Sequence, residues 1–163
     1  FYLQYVLGWP IIGYGIVPRE PYGLIGIFTA PLIHANVLHL VSNTIPMLFL
    51  GSALYFIYGK IAGQVFFRAY FWTNILVWIF ARPSNHIGAS GVVYAIAFFL
   101  IFFGFFRRDF LSLFISIVVV ILYGGVFYGL LPNDPTISFE SHLAGALVGI
   151  ASAFTFSSKK QVS

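Results

Sequence analysis

Three short polar motifs interrupt a sequence otherwise fit for lipid: His34, His39 and Asn43; Gly88-Ala89-Ser90-Gly91; and Ser141-His142. Polar side chains carried into hydrocarbon are costly and by default mark function. One serine, one histidine far along the chain and a cluster of hydrogen-bond donors are the parts of a serine hydrolase. The hydroxyl is the nucleophile, the imidazole takes its proton, and the donors stabilise the oxyanion that follows.

Ser90 sits where a helix is expected to start, beside free backbone N–H groups and the positive end of the helix dipole. Gly88 and Gly91 let a backbone approach closely and permit unusual dihedral angles. Taken alone, the motif reads equally well as an N-cap serine after a tight turn. Position 92 is valine, so the Gly-x-Ser-x-Gly elbow of α/β-hydrolases is absent. Tyr94 lies four residues on and shares the face of Ser90, where it suits either bundle packing or support for an imidazole.

His142 precedes Gly145 and Gly149, a small-xxx-small face that draws another helix close, so its ring is expected near a neighbouring helix as a general base. A hydrated histidine at a helix end is the plainer alternative. Glu140 is expected as a loop carboxylate facing water. His39 and Asn43 share one helical face and fit the role of oxyanion donors. His34 is expected to be structural, bonding the first loop, and His86 to be structural or to line a water path. Zinc is disfavoured: His34 and His39 are five apart, no His-Glu-x-x-His occurs and no intramembrane carboxylate is available.

The elements that must position these groups follow from composition. Of 163 residues, 60% are hydrophobic and 7% charged, against about a quarter charged in ordinary soluble domains. The chain is therefore read as a single all-α, polytopic membrane bundle over residues 1–157, with a polar cytoplasmic tail over 158–163. The net charge of +4 comes without a basic run, so no nucleic-acid partner is expected; with no cysteine there is no disulfide framework or thiolate metal site. Beginning at Phe1 with Met47 as its only methionine, the sequence reads as a piece of a longer product.

Apolar runs predict six helices, near 1–17, 36–57, 65–81, 90–106, 110–131 and 141–157. Gly59-Lys60, Arg107-Arg108-Asp109 and the Pro-rich or polar stretches at 18–21, 82–85 and 132–135 separate them. Lys60, Arg107, Arg108, Lys159 and Lys160 then fall on one face, which their excess marks as cytoplasmic. The second, fourth and sixth helices start from the other side, which brings His39, Asn43, Ser90 and His142 to one depth. Gly124, Gly125 and Gly129, near the outer end of the fifth helix, suggest a mobile gate for substrate.

Together these residues resemble the rhomboid family of intramembrane serine proteases: His34-x4-His39-x3-Asn43, Gly-x-Ser-Gly with Tyr94, and His142 with Ala144-Gly145, from about Thr29 to Gly149. The resemblance implies a six-helix rhomboid-like bundle, a Ser90–His142 dyad and an oxyanion hole from His39, Asn43 and the Ser90 amide. It also implies that Tyr94 supports the His142 ring, that no cofactor or metal is needed, and that the enzyme lies in a bacterial cytoplasmic membrane with its site open to the outer side. The implied partners are the lipid bilayer and single-pass or polytopic membrane-protein substrates, cut near the outer end of a transmembrane segment at small residues with helix-weakening residues beyond. One departure stands out: the Trp-Arg pair of many bacterial members is replaced by Ile25-Gly26 near that position of the first loop. An alternative reading is a proteolytically inactive rhomboid-like protein that binds membrane clients, which would be expected to lack part of the Ser90 and His142 set. A small transporter would need charged or broken helices at mid-membrane.

Overall fold

In the computed structural model of the chain, which describes residues 5–134 and 136–158, four helical stretches are long and apolar enough to cross a bilayer: Val37–Phe80, Ser90–Arg107, Phe110–Leu130 and Phe139–Ser157. We label the four-residue helix Gly26–Thr29 α1, Val37–Phe80 α2, Ser90–Arg107 α3, Phe110–Tyr123 α4 and Phe139–Ser157 α5. The 44 residues of α2 are not one rod, because Tyr58 leaves helical geometry at φ −119°, ψ 33°. Rings of Tyr55 and Phe66 lie 6.5 Å apart, whereas eleven residues of straight helix would separate them by about 16 Å. The chain thus folds back at Tyr58, and the two arms of α2 are the helices expected near 36–57 and 65–81. The expected turn at Gly59-Lys60 is a one-residue kink, and helix resumes directly after it.

The expected first helix does not form as a span. Its residues 1–4 lie outside the described residues; beyond Val6 the chain leaves α-helix and makes only a 3₁₀ turn over Ile11–Tyr14. The cause is local, since Gly8 takes φ +65° and Pro10 lacks the N–H that a continuing helix needs. Ile16 instead pairs with His86 through two backbone hydrogen bonds of 2.9 and 2.8 Å. Of the expected tail, only Ser158 falls among the described residues.

At the centre stands α3, whose residues from Gly91 to Ile101 are all buried, as a helix apolar all round must be. The closest packing is with α5. A Cβ on Gly145 would run into the Gly91 carbonyl, and one on Gly149 into that of Ala95, so these backbones touch because glycine is there. On another side α4 is pinned by Ser116, whose hydroxyl donates to the Ile101 carbonyl at 2.6 Å. Most of α4 faces outward with Phe110, Ile121 and Leu122 exposed, a surface that suits hydrocarbon and not water. Its final stretch, Gly124–Leu130, tightens into 3₁₀ helix, where the sequence predicts continuous helix to 131.

The first loop, without the Trp-Arg pair, is stitched to the second arm of α2 by other means. Asn74 Nδ2 donates to the Ile27 carbonyl at 3.0 Å, Trp78 Nε1 to that of Glu20 at 3.1 Å, and Arg19 Nη1 to that of Ala81 at 2.8 Å. Gly88 N–H then reaches the Ala30 carbonyl at 2.9 Å, which fixes the segment leading into Ser90 against this loop.

Candidate active site

The first turns of α2, α3 and α5 open onto one cavity of about 750 Å³, whose wall includes His39, Asn43, His86, Ser90, Tyr94 and His142. Each start is set by its own sequence. Asn36 caps α2 by accepting from His39 N–H at 2.8 Å, and Ser138 caps α5 by accepting from Ser141 N–H at 3.2 Å. Ser90 is the first residue of α3, so the N–H groups of that turn have no acceptor within the helix.

His142 is 7% exposed, with Nε2 3.0 Å from Ser90 Oγ and Nδ1 2.8 Å from the Gly129 carbonyl oxygen. A carbonyl only accepts, so Nδ1 carries the proton and Nε2 presents its lone pair to the serine hydroxyl. This tautomer can take the Ser90 proton. The Tyr94 ring lies flat on the imidazole, centroids 4.0 Å apart and planes 4° from parallel.

Across the cavity, His39 Nδ1 accepts a long 3.4 Å bond from Ala35 N–H, which leaves the proton on Nε2. That nitrogen faces Gly88: a Cβ there would come within 2.5 Å of His39 Nε2 and 3.7 Å of Asn43 Nδ2. Gly88 also adopts φ +102°, so both conformation and space require glycine two residues before the serine. Asn43 is buried and gives one N–H to the His39 carbonyl at 2.8 Å, keeping its second for another acceptor.

A model of the Rhomboid domain matches residues 21–159. The chain belongs to the rhomboid family. It is 34% identical over 164 residues to uncharacterized proteins of Mycobacterium tuberculosis and Mycobacterium bovis, covering 90% of this chain and 65% of theirs. An uncharacterized protein of Mycobacterium leprae is 34% identical over 153 residues, covering 83% of this chain and 57% of its own length. This rhomboid domain thus spans less than two thirds of the curated relatives it matches. Family membership and the apolar helices together make it an integral membrane protein.

Within this rhomboid domain two expectations change. His34 does not line the large cavity; it borders a separate apolar cavity of about 280 Å³ behind Asn43 and Ala89. Its ring meets that of His39 edge-on at 5.1 Å, and among the described residues neither nitrogen makes the loop hydrogen bonds expected of it. Burial, then the neighbouring His39, hold His34 below the ordinary histidine range. Glu140 is no loop carboxylate in water, since it lies in the first turn of α5 and pairs with Arg82 Nε at 3.4 Å. Among the described residues no group of three histidine, aspartate or glutamate side chains could hold a metal ion.

Two contributors escape the motif reading. Gly129, read as one of three gate glycines, supplies the carbonyl that sets the His142 tautomer, and a Cβ on it would collide with the Tyr94 hydroxyl. A backbone acceptor has no sequence signature beyond the glycine that makes room for it. Ser138 carries no mark in the sequence beyond being a serine that precedes a helix.

Proposed function

We propose that this rhomboid protein is an intramembrane serine endopeptidase. The family generally consists of such proteases, and the reading rests on one observation: Nε2 of His142, its tautomer set by the Gly129 carbonyl, lies 3.0 Å from Ser90 Oγ inside a polar cavity.

Ser90 Oγ attacks the scissile carbonyl carbon while His142 Nε2 takes the hydroxyl proton. The carbonyl oxygen becomes an oxyanion, which His39 Nε2–H, the second Asn43 N–H and the Ser90 amide stabilise. His142 then gives its proton to the leaving amine as the C–N bond breaks, leaving an ester on Ser90. A water molecule, deprotonated by the same imidazole, hydrolyses that ester and restores the serine. Tyr94 holds the imidazole plane throughout.

A transmembrane helix has no free carbonyl to present until it unwinds. The substrate must therefore unwind locally, and likeness to the rhomboid proteases implies a membrane protein cut near the outer end of a spanning segment, with small residues at the scissile bond and helix-weakening residues beyond. The lysine and arginine excess at Lys60, Arg107 and Arg108, on the opposite face, supports a site that opens to the outer side of a bacterial cytoplasmic membrane.

Labelling with a fluorophosphonate probe tests the reading. The wild type should react, whereas Ser90→Ala and His142→Ala should not; equal labelling of all three would leave the client-binding alternative in its place.

A further inference from the structure

The segments that enter the helices of Ser90 and His142 are joined by a second polar link, four residues upstream of the first in each. His86 stands four residues before Ser90, and Ser138 four before His142. His86 is 3% exposed, and its Nδ1 lies 2.6 Å from Ser138 Oγ. Its Nε2 lies 3.0 Å from the Arg82 carbonyl oxygen and 3.2 Å from Ser84 Oγ. The carbonyl only accepts, so Nε2 carries the proton and Nδ1 accepts from the Ser138 hydroxyl. Ser138 is itself the cap of α5, its oxygen accepting from Ser141 N–H. The imidazole thereby connects the loop that delivers Ser90 to the residue that fixes the start of the His142 helix.

We propose that His86 is a positioning residue: its hydrogen bond to Ser138 sets α5 in register with the segment entering α3, holding His142 Nε2 within reach of Ser90 Oγ. This rests on the protease reading above. The backbone pairing of His86 with Ile16 anchors the imidazole from the first loop, so the rung is rigid at its base. Arg82 and Glu140 are the charged groups facing it; Arg82 Nη2 donates to the Ile137 carbonyl at 2.9 Å and its Nε pairs with Glu140, bridging the same two segments alongside His86. Gly129 on one side and His86 on the other therefore constrain His142 from both ends of the cavity. Loss of the rung removes none of the reacting groups and changes only the distance between them.

The test uses the full chain in detergent micelles or liposomes, reading the rate constant of fluorophosphonate labelling and the turnover of a transmembrane peptide. His86→Phe and Ser138→Ala should each slow labelling roughly tenfold, the scale of one buried hydrogen bond. The double variant should be no slower than the slower single variant, because the His86–Ser138 bond is already lost in each. His86→Asn, which returns an acceptor near the Nδ1 position, should regain most of the loss, and kcat should fall with KM nearly unchanged. Wild-type rates in both single variants, multiplicative losses in the double variant, or His86→Asn as slow as His86→Phe would each overturn the proposal. If His86→Phe does not fold, Ser138→Ala and His86→Asn decide it: a slowed Ser138→Ala with a near-normal His86→Asn supports the rung, and a normal Ser138→Ala removes it. Labelling that persists in Ser90→Ala would sink the protease reading itself, whereas Ser90-dependent labelling indifferent to His86 and Ser138 would sink the positioning role alone.

Discussion

Tyr94 and His142 stack almost face to face, with centroids 4.0 Å apart and planes 4° from parallel. Aromatic pairs reach such geometry when neighbours hold both rings, and here the neighbour is Gly129, against which the Tyr94 hydroxyl abuts. The ring face, not the hydroxyl, restrains the imidazole. Tyr94→Phe should therefore keep labelling close to the wild-type rate, while Tyr94→Ala should lower it on the order of 10²-fold, as misplacing a reacting group does. Equal loss in both variants would assign the work to the hydroxyl.

His39 and Asn43 share a face of α2 and reach the cavity in front of Gly88. Donors that meet only the oxyanion stabilise the transition state and not the bound substrate. Asn43→Ala should lower kcat on the order of 10²-fold with KM little changed, and steady-state turnover of a transmembrane peptide checks it. A KM effect with unchanged kcat would make Asn43 a substrate contact.

Much of this arrangement is legible in the sequence because membrane physics narrows the options. Apolar runs locate α3, α5 and the start of α4 within a few residues, and the Gly145/Gly149 spacing anticipates the α3–α5 contact. The first helix fails for a reason also present in the sequence: Gly8, Pro10, Gly13 and Gly15 break an apolar stretch that hydropathy alone reads as a span. The one-residue kink at Tyr58 was invisible, since Gly59 and Lys60 look like a turn and yet stay helical. Ser90 and His142 stood out as polar groups in apolar helices. The partners that orient them, the Gly129 carbonyl and the Ser138 hydroxyl, belong to irregular segments whose course only tertiary packing decides.

His86 also gives a pH signature in stability. Burial is the main cause that holds its imidazole below the ordinary histidine range, so the folded protein keeps it neutral while the unfolded chain protonates near its usual value of about 6.5. Its contribution is present above that pH and is lost as pH falls through the lower folded value. Inactivation of the detergent-solubilised protein at fixed temperature should accelerate below about pH 6.5. His86→Asn, with no titrating group there, should make that limb shallower, since His34, depressed by burial as well, keeps its share; an unchanged profile would assign the limb to other groups.

The three glycines that follow α4 should separate sharply by position. A Cβ at Gly124 or Gly125 meets nothing within 4 Å, whereas one at Gly129 would strike the Tyr94 hydroxyl and lie 3.2 Å from His142 Nδ1. Alanine at 124 or 125 also costs less conformational entropy than glycine in a helical segment, so neither change should slow fluorophosphonate labelling. Gly129→Ala must push Tyr94 or the 3₁₀ turn away, and with it the carbonyl that keeps the proton on Nδ1. Once that bond is lost, the neutral imidazole is free to carry its proton on Nε2, where it cannot accept from Ser90. Labelling should therefore fall at least tenfold, about what one lost hydrogen bond costs in a rate. The loss should come with little change in thermal stability, since the 3₁₀ segment contributes no buried residue. Comparable labelling across all three variants would mean that the His142 tautomer is set by something other than Gly129.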